Sequence, residues 1–204
     1  MKEIVIATYN AGKLEEIRSL LADECERFYS LSDLHDTIEI IEDSPSYAGN
    51  AMKKARKVGG HWGMASLADD SGLEVEALGG NPGVHSSRYG SDDDERISRL
   101  LRELEGVPWE KRNAVFKAYV ALYLPTKERC YIFYGELKGY IGFEKHGTGG
   151  FGYDPIFYSP QAGRYLAELT KDAKNRLSHR GVALRALKNF INVNALKGPR
   201  VLNL

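Results

Sequence analysis

The stretch from Ser66 to Gly90, SLADDSGLEVEALGGNPGVHSSRYG, constrains this chain most. An apolar run from Met64 to Ala68 reads as a strand that delivers two adjacent carboxylates, Asp69 and Asp70, to a Ser71-Gly72 turn. Successive side chains of a strand point to opposite faces, so one aspartate must point away from the other. Ligands of open sheets gather at the carboxyl ends of strands, which makes an acid pair there a candidate metal or general-base site. Ordinary turn chemistry accounts for the same residues, since Asp, Ser and Gly all favour turns. The rest of the chain has to separate the two readings.

A chain of 204 residues is long enough to bury a sizeable core, and we read residues 1–204 as one domain with two lobes. Lys plus Arg and Asp plus Glu both number 28, so the formal net charge is zero. That argues against broad nucleic-acid binding, which needs a basic surface to release counterions. Cys25 and Cys130 lie far apart with no CxxC spacing, as expected of buried free thiols in a reducing cytoplasm. The N-terminus does not read as a signal peptide, and no apolar run reaches membrane-spanning length. The expected location is the cytoplasm, with no membrane partner.

In chain order, Glu3 to Ala7 reads as a buried strand, and Leu14, Ile17, Leu20 and Leu21 follow at helical spacing. Thr8, Asn10 and Lys13 occupy the loop between them. Strand, short polar loop and helix start form a generic anion site, although the Gly-rich run of a Walker loop is missing. Taken alone, the loop is better read with Asn10 as a helix cap and Lys13 as a solvated residue. Thr37 to Ile41 reads as a second strand ending in Glu42-Asp43. Ser46 then caps a helix that carries Asn50, Lys54 and Val58 and closes at Gly59-Gly60.

The breaker cluster Gly79 to Gly83 is a loop, with Arg88 at its end. Ser91 and Asp94 resemble a capping box for a helix burying Ile97, Leu100, Leu101 and Leu104, whose first acids need no catalytic explanation. Asn113 to Leu124 and Cys130 to Leu137 form strands joined by a hairpin turn at Pro125 to Glu128, the first of them central. Gly135, Gly139 and Gly142 then allow bends or bulges. Gly147 to Pro155, GTGGFGYDP, is a loop that lets backbone approach a ligand, with Phe151 and Tyr153 as flat surfaces for a base or as core plugs. In Lys171 to Asn192, Ser178 caps a helix with Ala183, Leu187, Phe190 and Ile191 buried. His179 and Arg180 fall in its first turn, where cations are unfavourable unless an acid or ligand lies there.

Together TYNAGKLEE, the Glu42 segment with NAMKKA, LADDSGLEVEALGGNPGVHSSRY, GTGGFGYDPIF and LSHRGVALRAL resemble the inosine triphosphate pyrophosphatase family over nearly the whole chain. The resemblance implies an elongated α/β fold, two lobes around a twisted mixed sheet flanked by helices, with the site in a cleft between the lobes. It implies a Mg²⁺-dependent homodimer that cleaves a small-molecule substrate, inosine, deoxyinosine or xanthosine triphosphate, to the monophosphate and pyrophosphate. By the same resemblance Thr8, Asn10 and Lys13 form a phosphate loop with Lys54 nearby. Glu42 and Asp70 are metal ligands, Asp70 is also the base, and Asp69 supports it. Phe151 stacks on the purine, Gly152, Tyr153 and Asp154 shape that pocket, and Lys174, Ser178, His179 and Arg180 close over base and phosphates. Ser71 and Arg88 complete the substrate-binding set. Two departures from the family pattern stand out, Tyr9 for a frequent Gly and Gly49 for a frequent Glu.

The chemistry fits these residues independently. A triphosphate requires hard carboxylate oxygens for Mg²⁺ and cationic clamps, which Glu42, Asp70, Lys13 and Lys174 supply. Hypoxanthine and xanthine present an acceptor oxygen where adenine presents an amine, so a donor such as Arg180 rejects adenine by about 10⁴ or more. Two other readings remain open from sequence: a nucleotide-binding regulator that turns nothing over, and a pyrophosphatase for modified pyrimidine triphosphates.

Overall fold

The computed structural model describes residues 2–34 and 38–194. Contacts divide the chain into two compact units, one drawn from residues 1–70, 119–134 and 183–204, the other from residues 71–118 and 135–182. The strand ladder runs in the order β2 (Arg27–Ser30), β1 (Glu3–Ile6), β3 (Ser66–Val75), β4 (Asn113–Leu124), β5 (Arg129–Ile141), β6 (Phe157–Ser159), β7 (Arg164–Tyr165), with parallel and antiparallel pairs, so the sheet is mixed.

In the first unit, β1 (Glu3–Ile6) buries Ile4, Val5 and Ile6 completely. Such a continuous apolar run suits a parallel strand covered on both faces. It pairs in parallel with β2 (Arg27–Ser30) and with β3 (Ser66–Val75). β2 has no signal of its own in the sequence, because four residues carry too little periodicity. Asn10 caps α1 (Ala11–Leu21), accepting from the Lys13 N–H at 2.9 Å. Ser46 caps α2 (Tyr47–Trp62) by accepting from Gly49 N.

Three expectations fail in this unit. The helix does not close at Gly59-Gly60 but runs to Trp62 and ends in left-handed Gly63. Gly59 is a packing position: a Cβ there would lie 2.6 Å from Ser66 Oγ and 2.7 Å from the Tyr123 ring. Residues 38–43 are not a strand, and Thr37 lies outside the described residues. β2 ends the ladder, and Ile38 packs on the core with Val5, Ala51 and Ala121 without backbone pairing. Cys25 and Cys130 are free but half-buried rather than buried.

The second unit holds the far ends of β3, β4 (Asn113–Leu124) and β5 (Arg129–Ile141), followed by β6 (Phe157–Ser159) and β7 (Arg164–Tyr165). Its core gathers Leu73, Val75, Ile97, Leu100, Phe116, Ile141 and Phe157. β3 corrects the most prominent expectation, because the strand does not end at Asp69-Asp70 and Ser71-Gly72 is no turn. Gly72, Leu73 and Val75 are buried beyond it, and that burial outweighs the local turn preference of Asp, Ser and Gly. β4 lies fourth among the seven strands of the described residues, as expected of a central one. β5 reaches Ile141, past the expected Leu137. Gly139 accommodates close packing, since a Cβ there would sit 2.3 Å from the Tyr158 carbonyl oxygen.

The acids of α3 (Asp93–Glu103) cap it one residue away from the expected frame. Asp92 accepts from Glu95 N at 2.8 Å, and Glu95 accepts from Ser91 N at 2.6 Å. The Ser91 hydroxyl and N–H lower the Glu95 pKa. A carboxyl with a depressed folded-state pKa contributes stability above its unfolded pKa and loses it as pH falls through the folded value. Glu95→Gln should therefore flatten the loss of thermal stability below about pH 4.5, read by melting across an acid series.

α4 (Lys171–Leu177) and α5 (His179–Val193) meet at Ser178, whose Oγ accepts from Gly181 N at 3.0 Å. The expected cap is present, with a separate short helix before it.

Candidate active site

Alternation along β3 divides the two aspartates between two helices of the first unit. Asp69 Oδ2 lies 2.7 Å from Lys13 Nζ in the first turn of α1, and the Asp69 side chain is fully buried. Asp70 turns to α2, where Lys54 Nζ sits 3.5 Å from its Oδ1. The same ammonium donates to Glu42 Oε1 at 3.0 Å and to the Asp69 carbonyl at 2.8 Å. Lys54 is thus a buried cation ringed by three oxygens from two segments. Burial raises the Asp70 pKa. Lys54 and Lys13 pull it down, Glu42 raises it, and the Asn50 amide lowers it. Asp70 Oδ2 is buried without a hydrogen-bond partner, and the Asn50 amide faces the carboxylate outside hydrogen-bond geometry.

The Thr8 loop is self-braced: Asn10 N donates to Thr8 Oγ1 at 3.1 Å, and Asn10 in turn caps α1. Tyr9 is 65% exposed. Glu128 alone among the described non-glycine residues has a positive φ, so the loop needs no glycine at position 9. Gly49 has a tighter role. A Cβ there would fall 2.0 Å from Ser44 Oγ, and Ser44 N donates to Asn50 Oδ1 at 2.9 Å. The missing side chain lets the turn after Glu42 close on α2.

In the second unit the Gly-rich loop presents Phe151. Lys174 Nζ lies 4.5 Å and Arg180 Cζ 5.6 Å from its ring centroid, both within cation–π range. Asp154 is buried and accepts from Phe151 N at 2.9 Å and from the Lys174 ammonium. Gly150 must be glycine, with φ 72° and a would-be Cβ 2.1 Å from Asp154 Oδ2. Arg180 Nη2 donates to Ser71 Oγ at 2.9 Å, the first residue beyond Asp70 on β3. This pair holds the Arg180 guanidinium to a neutral hydroxyl of β3.

Other expected residues take different places. Tyr153 is buried and its hydroxyl donates to the Ser86 carbonyl at 2.9 Å, while burial pushes its pKa up. It anchors the loop and offers no open ring face. His179 is buried and stacks on Phe116 at 4.7 Å between centroids. Arg88 is exposed, with Nη2 3.5 Å from His85 Nδ1. Sequence reasoning missed Ser86 and Asp93. Ser86 Oγ accepts from Leu73 N at 2.8 Å, and Asp93 accepts from Gly152 N at 2.7 Å. Neither has a local sequence signal, since the partners are distant along the chain.

Among the described residues, no group of three or more His, Cys, Asp or Glu side chains is placed to hold a metal. The hard donors present are Glu42 and Asp70, one of them with an unpartnered buried oxygen. That set fits Mg²⁺, which is commonly held by one or two carboxylates and completes its shell with water and substrate phosphates.

A mixed α/β sheet carrying these acid and base clusters is the frame of a known class, and residues 4–190 match the Ham1 family. The chain belongs to that family. It is 46% identical over 194 residues to a dITP/XTP pyrophosphatase of Geobacter sulfurreducens, covering 94% of this chain and 97% of the relative. A dITP/XTP pyrophosphatase of Bacillus subtilis is 40% identical over 194 residues, with 94% and 98% covered. Among solved structures, a HAM1 protein from Coxiella burnetii superposes with a TM-score of 0.84 at 40% identity, covering 95% of this chain and all of that one.

Proposed function

We propose that this protein hydrolyses non-standard purine nucleoside triphosphates, dITP, ITP and XTP, to the monophosphate and pyrophosphate. The observation that carries the reading is Asp70, a buried carboxylate with a raised pKa and an unpartnered oxygen beside the Lys54 ammonium. Perturbed acids of this kind suit general-base work near neutral pH. The names of the relatives, dITP/XTP pyrophosphatases at up to 46% identity, support the same reaction and substrate class.

In this reading Asp70 orients a water and takes its proton as the new P–O bond forms and the α–β anhydride bond breaks. Lys54 and Lys13, the latter held by Asp69, stabilise charge on the phosphates. Mg²⁺ on Glu42 and Asp70 would supply charge neutralisation and water activation. Phe151 stacks on the purine, Lys174 and Arg180 flank it, and Arg180 donates to the six-oxygen. No described helix is long and apolar enough to cross a membrane. A homodimer, a cytoplasmic location and no nucleic-acid partner complete the proposal.

A panel of purine and pyrimidine triphosphates at equal concentration, with and without chelator, tests it. We expect dITP and XTP to be preferred and chelation to abolish turnover. Preference for a pyrimidine would overturn the substrate class, and tight binding without hydrolysis would make the protein a nucleotide-binding regulator.

A further inference from the structure

Asp93, the first residue of α3, divides its carboxylate between its own helix and the Gly-rich loop. Its Oδ2 accepts the Gly152 N–H at 2.7 Å, and its Oδ1 accepts from Arg96 Nη1 at 2.7 Å. Arg96 in turn donates through Nε to the Gly90 carbonyl at 3.2 Å, which ties the pair to the turn before the helix. In the preceding peptide, the Phe151 N–H donates to Asp154 Oδ2. The N–H groups of residues 151 and 152 are therefore held by carboxylates from two separate elements. Between them lies the Cα that carries the Phe151 ring.

The loop needs such tethers. Gly150 and Gly152 have φ of 72° and 62°, and glycine populates both signs of φ with similar ease, so the sequence alone leaves the ring direction open. Hydrogen bonds to a charged acceptor are the strong kind. We propose that Asp93 is a positioning residue that fixes the orientation of the Phe151 ring and thereby sets affinity for the base, while leaving the phosphate-binding residues untouched. The proposal rests on the function given above, in which Phe151 stacks on the purine. The competing account is that Asp93, like Asp94 and Glu95, only answers the helix dipole.

Asp94 provides the control, because it shares the first turn but is largely exposed and meets only the Lys145 side chain, ahead of the Gly-rich run, whereas Asp93 holds the Gly152 backbone itself. Asp93→Ala should raise the KM for dITP about tenfold with kcat changed less than about threefold, as loss of a charged hydrogen bond implies. Inhibition by imidodiphosphate, a pyrophosphate analogue without a base, should be unchanged. Amide exchange of Gly152, read by NMR, should speed up by a similar factor. Asp93→Asn, which keeps an acceptor oxygen, should restore most of both. If Asp93→Ala does not fold, Asp93→Ser keeps a good helix start but is too short to reach Gly152, and should show the same KM rise. Equal effects of Asp93→Ala and Asp94→Ala on KM and Gly152 exchange would overturn the proposal. A wild-type protein inactive on dITP and XTP would remove the functional reading, and Gly152 exchange would still decide whether the tether exists.

Discussion

Asp70→Asn should yield a folded protein that releases pyrophosphate at least about 10³-fold more slowly, since the amide can neither accept a proton nor serve as a hard anionic donor. The same substitution should leave thermal stability at neutral pH unharmed or improved. Burial raises the Asp70 pKa in spite of Lys54 and Lys13, so the folded chain holds the proton more tightly than the unfolded one. For a raised pKa the stability is fully present below the unfolded value and is lost as pH rises through the folded value. At neutral pH the ionised carboxylate thus opposes folding, and a neutral isostere relieves that opposition. Melting curves without added metal, set beside initial rates, measure both halves. A variant that is inactive because it is unfolded would contradict this account of Asp70.

Phe151→Ala should act on the other half of the substrate. Stacking of a base on an aromatic ring contributes about 1–3 kcal/mol, so KM for dITP should rise by about 5- to 150-fold. The ring is flanked by Lys174 and Arg180, whose cation–π contacts are lost with it. Their reorientation should add a smaller loss in kcat. Inhibition by imidodiphosphate should not change, because that analogue carries no base to stack. Steady-state kinetics on both ligands separate the two effects.

What the sequence made legible follows the range of the interactions. The strand, loop and helix around Asn10, the cap at Ser46 and the cap at Ser178 are local, and each stands where its residues put it. The pairing of Lys13 with Asp69 is not legible in the sequence, because it joins two distant blocks and the resemblance gives only that both serve one site. Local rules misled where tertiary burial decides. Asp-Ser-Gly reads as a turn, yet β3 passes straight through it because Leu73 and Val75 are buried beyond. Gly59-Gly60 reads as a helix end, yet at Gly59 the Ser66 hydroxyl and the Tyr123 ring leave no room for a Cβ.

Asp93 shows the limit most plainly. An acid in the first turn of a helix satisfies the dipole and invites no further question, while its partner Gly152 lies 59 residues away. Only the folded chain reveals that the carboxylate also holds the loop. The departures at Tyr9 and Gly49 are resolved in the same way. Position 9 has ordinary backbone, and the space at position 49 is occupied by Ser44.

The most direct test of the central claim is the identity of the phosphorus products formed from dITP or XTP, followed by ³¹P NMR in the presence of Mg²⁺. The account predicts equal amounts of nucleoside monophosphate and pyrophosphate from the earliest time points. Nucleoside diphosphate with orthophosphate would contradict it.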